Sequence, residues 1–163
     1  MKKYLILTNR YFDSSEELHL NNLLMLGEWC KVSKDEKNNF EKVDVFPYHW
    51  LNRKKRAKDS IFINEFYEKV LEKLVNKLNN IHKLNFSKRS WRIFIGPWLL
   101  TYITVIFDRW EIINSVIAKN KELIFVLDKS LNSKKFVPFD FITSRDLYIN
   151  SQEYNEMLFQ RVI

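Results

Sequence analysis

Three short stretches concentrate the side chains able to do chemistry: "TNR" at 8–10, "GEWC" at 27–30 and "PYHWLNRKK" at 47–55. They place one carboxylate, Glu28, and one imidazole, His49, among indole rings, and the last stretch runs into Arg53, Lys54, Lys55, Arg56 and Lys58. An imidazole or carboxylate partly buried among rings titrates near neutrality and can take the proton of an attacking hydroxyl. A guanidinium holds phosphate or carboxylate bidentately, whereas lysine acts as a point charge, so Arg53 and Arg92 are the better anion clamps. Trp29 and Trp50 can stack on a sugar face or wall a cleft, and Asn9 joins them as a substrate-binding candidate. Plainer readings stand beside these: Glu28 as a solvated strand end, His49 as a hydrogen-bonded ring, the cationic run as a solvated face. Asp108 and Arg109, in an apolar stretch, read as a structural ion pair or helix-end contact.

Each stretch needs an element to present it. Apolar runs at 3–8, 23–26, 43–46 and 123–127 have strand length and content, the last three stopped by Gly27, Pro47 and Asp128. Between the third and fourth lie two long helices. The spacing predicts a first helix capped by Asp59 or Ser60, with Ile63, Phe66, Tyr67, Val70, Leu71, Leu74, Leu78 and Ile81 recurring on one face. A second is expected to open at Pro97, a favourable first helical residue, and to be central because it is apolar nearly all round. The uncharged stretch 93–107 is shorter than the roughly 18 to 20 residues that cross a bilayer, which favours a buried core helix. Asn150 with Glu153 predicts a capped final helix whose apolar end, Phe159, Val162 and Ile163, looks unpartnered.

Strands alternating with helices imply an α/β class: a helix-rich, Rossmann-like single domain over 1–163, with a short mostly parallel sheet and two long helices. Ligands of such open sheets bind beyond the carboxyl ends of the strands. The three chemical stretches occupy those positions.

Composition narrows the function. The chain has 163 residues, 46% hydrophobic and 15% aromatic, enough for a folded core. Its net charge of +7 suggests an anionic partner, yet the excess is mostly lysine in a chain also rich in Asn and Ile, a compositional bias that weakens a nucleic-acid reading. With two glycines, at 27 and 96, neither a dinucleotide-binding nor a P-loop glycine pattern is possible. One cysteine and no suitably spaced histidines leave no metal site, and no cofactor is expected. His19 and His82 have no polar partner nearby in sequence. The N-terminus has too short an apolar run for a signal peptide, so a cytoplasmic protein is expected.

"LLMLGEWC", "PYHWLNRKK", "LNNIH" and "SKRSWRIFIGPWLLTYITVIFDRW" together resemble, in this order and at similar spacing, the N-terminal region of a family of bacterial transferases associated with O-antigen and other surface-polysaccharide clusters. The resemblance covers about residues 1–118 and rests on Gly27 to Cys30, Pro47 to Trp50, Arg53, His82, Trp91, Arg92, Gly96 to Trp98, and Asp108 to Trp110. One departure stands out: the acidic residue usual after the His-Trp pair is absent, Leu51 and Asn52 taking its place.

The resemblance implies a GT-B-like glycosyltransferase of which this chain is the N-terminal, acceptor-side part. It implies a nucleotide-activated sugar donor bound mainly by a C-terminal domain, a saccharide or lipid-linked acceptor, and a place in the cytoplasm or at the inner face of its membrane, with peripheral membrane association compatible. His49 or Glu28 would then be the base, with Asn9, Trp29, Trp50, Arg53 and Arg92 binding substrate, and no nucleic acid expected. A stand-alone basic module that binds nucleic acid or an acidic membrane surface is the alternative drawn from the charge.

Overall fold

The structure, a computed structural model, describes residues 3–10, 22–31, 43–127, 131, 136 and 138–163. His19 and Asp128 lie outside them. The chain divides into two compact units, one made of Met1–Leu51 with Arg109–Ile163, the other of Asn52–Asp108.

The first unit is built on four parallel strands, β1 (Lys3–Ile6), β2 (Leu23–Met25), β3 (Asp44–Val45) and β4 (Leu123–Val126), in the order β3-β2-β1-β4. A parallel sheet is covered on both faces, so its strands read as continuous apolar runs. Leu5, Ile6 and Leu7, and Leu23 to Leu26, are all buried in this way. Onto them pack Ile112, Ile113 and Val116 from the end of helix α2 (Lys88–Lys119) and Phe159 from helix α4 (Gln152–Val162). Burying one such side chain contributes about 1.5–3 kcal/mol, which makes this cluster the main stabilising term of the unit.

Two expectations about the C-terminal part are corrected. Asn150 does not cap the last helix; it ends helix α3 (Phe141–Asn150), an element the periodicity does not reveal. Its start is a capping box, in which the Thr143 N–H donates to Asp140 Oδ1 (2.7 Å) and the Asp140 N–H donates to Thr143 Oγ1 (2.9 Å). Ser151 caps α4, its hydroxyl accepting from the Tyr154 N–H at 3.1 Å. Nor is the apolar end of α4 unpartnered as a whole. Phe159 is 1% exposed and Val162 packs on the core, while Ile163 is open to solvent.

The second unit is a helical hairpin of α1 (Arg53–His82) and the first part of α2. Helix α1 starts well before the expected cap, because the Asn52 side chain accepts the Lys55 N–H at 3.0 Å. The cationic run therefore forms its first turns, and Asp59 is an interior residue paired with Lys55 at 2.7 Å. Ile63, Tyr67 and Leu71 form its buried stripe, while Phe66 and Ile81 of the expected face are exposed.

Helix α2 begins at Lys88, where the Ser87 hydroxyl accepts the Ser90 N–H at 3.1 Å. Pro97 lies inside it. Both Pro97 and Ile93 are exposed, so the carbonyl that loses its partner to the proline is within reach of water. The expectation of a central, buried helix fails over this segment. Ile93 is 71% and Phe94 66% exposed, and 22% of the helix's most apolar stretch is buried, although the helix is long and apolar enough by length and composition to cross a membrane.

One residue closes the hairpin. Asn79 Oδ1 accepts from the Phe86 N–H (3.0 Å) and from Trp91 Nε1 (2.8 Å), while its Nδ2 donates to the Phe86 carbonyl (3.0 Å). Farther along, Glu68 meets Arg92, the Tyr67 hydroxyl approaches Gly96, and Phe62 meets Phe107, so the helices run antiparallel. Asn79→Ala removes all three side-chain bonds and leaves the buried Trp91 indole N–H without its acceptor. A destabilisation of about 1–3 kcal/mol is expected. Urea denaturation followed by circular dichroism measures it, and an unchanged midpoint contradicts the assignment.

Candidate functional site at the carboxyl edge of the sheet

The register aligns the strand ends. Ile6 pairs with Met25 and with Val126, and Met25 pairs with Val45, so the four strands finish level. The backbone ties continue one residue further on one side: Leu26 N–H donates to Ile6 O (2.9 Å) and Phe46 N–H to Met25 O (2.8 Å). Residues 8–10, 27–31 and 46–51 consequently leave one edge of one sheet, and the three stretches in the first unit are brought together. With β2 on one side of β1 and β4 on the other, this is also the edge where the strand order reverses, the usual ligand position of open α/β sheets.

An aromatic wall joins these stretches. Trp29 donates its Nε1–H to the Leu7 carbonyl at 3.0 Å, linking the end of β2 to the end of β1. Its indole stacks on Phe159 (6.4 Å between centroids, 8° between planes) and meets Tyr48 edge-on at 6.4 Å. Tyr48 in turn contacts His49 (5.0 Å) and Trp50 (6.0 Å), and His49 contacts Trp50 (4.9 Å). Trp29 is thus built into the wall through both its polar atom and one ring face. Trp50 is half-buried at the end of the series.

The two candidate bases stand in opposite surroundings. Glu28 opens a short 3-10 turn, Glu28–Lys31, with its side chain 75% exposed and bridged to Lys31 Nζ at 3.0 Å. The partial burial among rings that the sequence suggested for it is therefore not found. His49 is 8% exposed, in a second such turn, His49–Leu51, between its two aromatic neighbours. Asn9 is half-buried just past β1. Arg53 and Arg92 belong to the second unit. Arg53 is exposed at the first position of α1; Arg92 is held by Glu68 at 2.8 Å, its guanidinium 6.0 Å from the centre of the Tyr67 ring. Hydrogen bonds from Lys88 first and Arg92 second keep the Glu68 carboxyl below its ordinary titration range.

Sequence reasoning missed the contribution of α4. The Thr8 hydroxyl donates to the buried Glu156 carboxylate at 2.9 Å, and Gln160 Nε2 donates to its other oxygen at 3.1 Å. Arg10 Nη1 lies 4.0 Å from Glu153. Arg109 directs both Nε (3.0 Å) and Nη2 (2.8 Å) at Asn155 Oδ1 and lies over the Phe159 ring at 5.4 Å. A polar layer from α4 therefore lies against the end of β1. The only available signal was "YNEMLFQ", with its acidic and amide residues spaced at helical intervals among apolar ones. Cys30 is fully buried, its Sγ 3.5 Å from the Ile6 carbonyl, and burial pushes the thiol up to about 12.

The family model of the LIC12162 family transferase matches residues 4–163, so the likeness extends through α4, beyond the part that the sequence motifs cover. Among curated proteins, the Rab3 GTPase-activating protein regulatory subunit of Caenorhabditis elegans is 29% identical over 101 residues, which is 52% of this chain and 8% of that protein. So small a share of that relative carries none of its activity across. No solved structure matches the chain.

Two measurements test this geometry. A methyl group at Gly27 would run into the Trp29 indole. Gly27→Ala should therefore displace the ring, lose its bond to Leu7, and destabilise the first unit by about 1–3 kcal/mol in thermal unfolding; stability equal to the parent would show that the ring is not confined. In the second, iodoacetamide at pH 8 should leave Cys30 unmodified in the native protein and alkylate it readily in urea. Rapid alkylation without denaturant contradicts the burial.

Proposed function

Because the chain belongs to the LIC12162 family of transferases, we propose that it forms the acceptor-side, N-terminal part of a two-domain GT-B glycosyltransferase acting in O-antigen or surface-polysaccharide biosynthesis. The observation that carries this reading is the level finish of β1, β2 and β3, which gathers Asn9, Glu28 and the Tyr48 to Trp50 rings at one sheet edge. A saccharide or lipid-linked acceptor would lie along that edge, with a nucleotide-activated sugar as donor, held mainly by a C-terminal domain. The cytoplasm, or the inner face of its membrane, is where both substrates would meet.

The reaction needs a base at the acceptor hydroxyl. As the hydroxyl oxygen attacks the anomeric carbon, its proton passes to the base and the bond to the leaving diphosphate breaks. Glu28 is the carboxylate that an incoming hydroxyl reaches directly, steadied by Lys31. His49 is the other candidate, enclosed by rings that would keep water from the transferred proton. Trp29 and Trp50 form the apolar wall that an acceptor sugar would face. Arg53, Lys54, Lys55 and Arg56 occupy the first turn of α1, which itself holds no acidic residue, although Asp59 one turn on pairs with Lys55 at 2.7 Å. An anion there would offset Arg53, Lys54 and Arg56 at the positive end of the helix dipole.

The same first turn supports the second reading, a basic anion-binding module. A salt titration separates the two. Loss of DNA affinity by orders of magnitude between about 50 and 200 mM salt would favour the module; absence of DNA binding at low salt removes nucleic acid.

For the transferase reading, Glu28→Gln and His49→Ala are made in the full-length enzyme and assayed for sugar transfer, with folding checked by circular dichroism. Loss of the base should lower kcat by about 10²–10⁴-fold. Near-parental kcat in both variants removes both residues as bases.

A further inference from the structure

The closed end of the α1–α2 hairpin presents an exposed apolar surface. Ile81 and Leu84 at the end of α1, and Phe86, Ile93 and Phe94 at the start of α2, are all exposed, Ile81 and Ile93 at 71% and Phe94 at 66%. They lie within about two helical turns of the tip. Phe86 and Phe94 stack on each other at 5.9 Å, and beneath them Trp91 contacts both Phe86 (5.7 Å) and Phe94 (6.2 Å). Trp91 is anchored by Asn79, so the apolar knob rests on a fixed base.

The charged residues of the tip segment itself are cationic. From Lys73 to Phe107 the chain contains no Asp or Glu, while Lys83, Lys88, Arg89 and Arg92 flank the tip. Glu68 pairs with Lys88 and Arg92, and Glu72 reaches Lys88 at 4.0 Å, both from farther down α1. Lys83 is held at φ 52°, a left-handed backbone that a lysine adopts at some cost, at the turn itself.

We propose that this tip docks on an anionic lipid surface, the aliphatic and phenyl side chains entering the headgroup boundary and the cations pairing with lipid phosphates. Exposed apolar side chains ringed by Lys and Arg are the composition of an interfacial anchor. Two other occupants fit less well. A second copy of the same tip would bring like charges together. A nucleic acid would match the cations, but Ile81, Leu84 and Ile93 have no ring face on which a base could stack. Docking does not require spanning: α2 is long and apolar enough to cross a bilayer, as core helices also are, but its last turns are packed against the sheet through Ile112, Ile113 and Val116. The inference is independent of the proposed transfer reaction and stands or falls without it.

Co-sedimentation with vesicles tests it. The chain is mixed with equal parts phosphatidylglycerol and phosphatidylcholine, and separately with phosphatidylcholine alone. Binding to the anionic vesicles, weakened by salt and absent from the neutral ones, is expected. The double variant Ile93→Ser/Phe94→Ser should lower the binding constant by about tenfold or more. The charge variant Arg89→Glu, which leaves every apolar contact in place, should lower it by at least about fivefold. Circular dichroism shows that each variant is folded. The proposal is overturned by no vesicle binding, by binding that both variants leave unchanged, or by equal affinity for an oligonucleotide that is insensitive to Ile93→Ser/Phe94→Ser.

Discussion

The parallel pairing of β1 with strands on both its sides is the constraint on which the candidate site depends. Three short strands, each unstable alone, hold their register because Leu5, Ile6 and Leu7 are buried and cannot slip by one residue without turning an apolar set outward. The same register makes the strands end together. Where backbone pairing stops, the Trp29 N–H bond to Leu7 takes over, and Phe159 from the far end of the chain covers the indole. The site's polar residues are therefore carried to one edge by a hydrophobic core.

Much of this was legible in the sequence because apolar runs stopped by Gly27 and Pro47 have a direct physical meaning. The α/β class, the short parallel sheet and the two long helices follow from those runs and from helical periodicity. Helix boundaries were less legible. Asn52 followed by four cations does not look like a helix start, since the dipole disfavours positive charge there; side-chain capping overrides that term locally. Pro97 resembles a first residue, yet Ser87 caps the helix earlier and solvent accommodates the proline. Helix α3 is a short segment without a clear apolar face, so periodicity had nothing to detect.

The site was legible in its members but not in their surroundings. Position in sequence placed Glu28 and His49 beyond strand ends, but only tertiary packing decides that one is open to solvent and the other enclosed. The partners on α4 were invisible for the same reason: Thr8 and Glu156 are far apart in the chain and meet through packing alone. Conversely, "LNNIH" and the Trp91 segment, quoted for a family likeness, contain the Asn79 contact that closes the hairpin. Part of that motif is thus structural.

A structure of the proposed two-domain glycosyltransferase with a saccharide acceptor bound tests the central claim most directly. The account places the acceptor along residues 8–10, 27–31 and 46–51, with the reacting hydroxyl within about 3.2 Å of the Glu28 carboxylate or the His49 imidazole. An acceptor seated elsewhere, touching none of those residues, would contradict it.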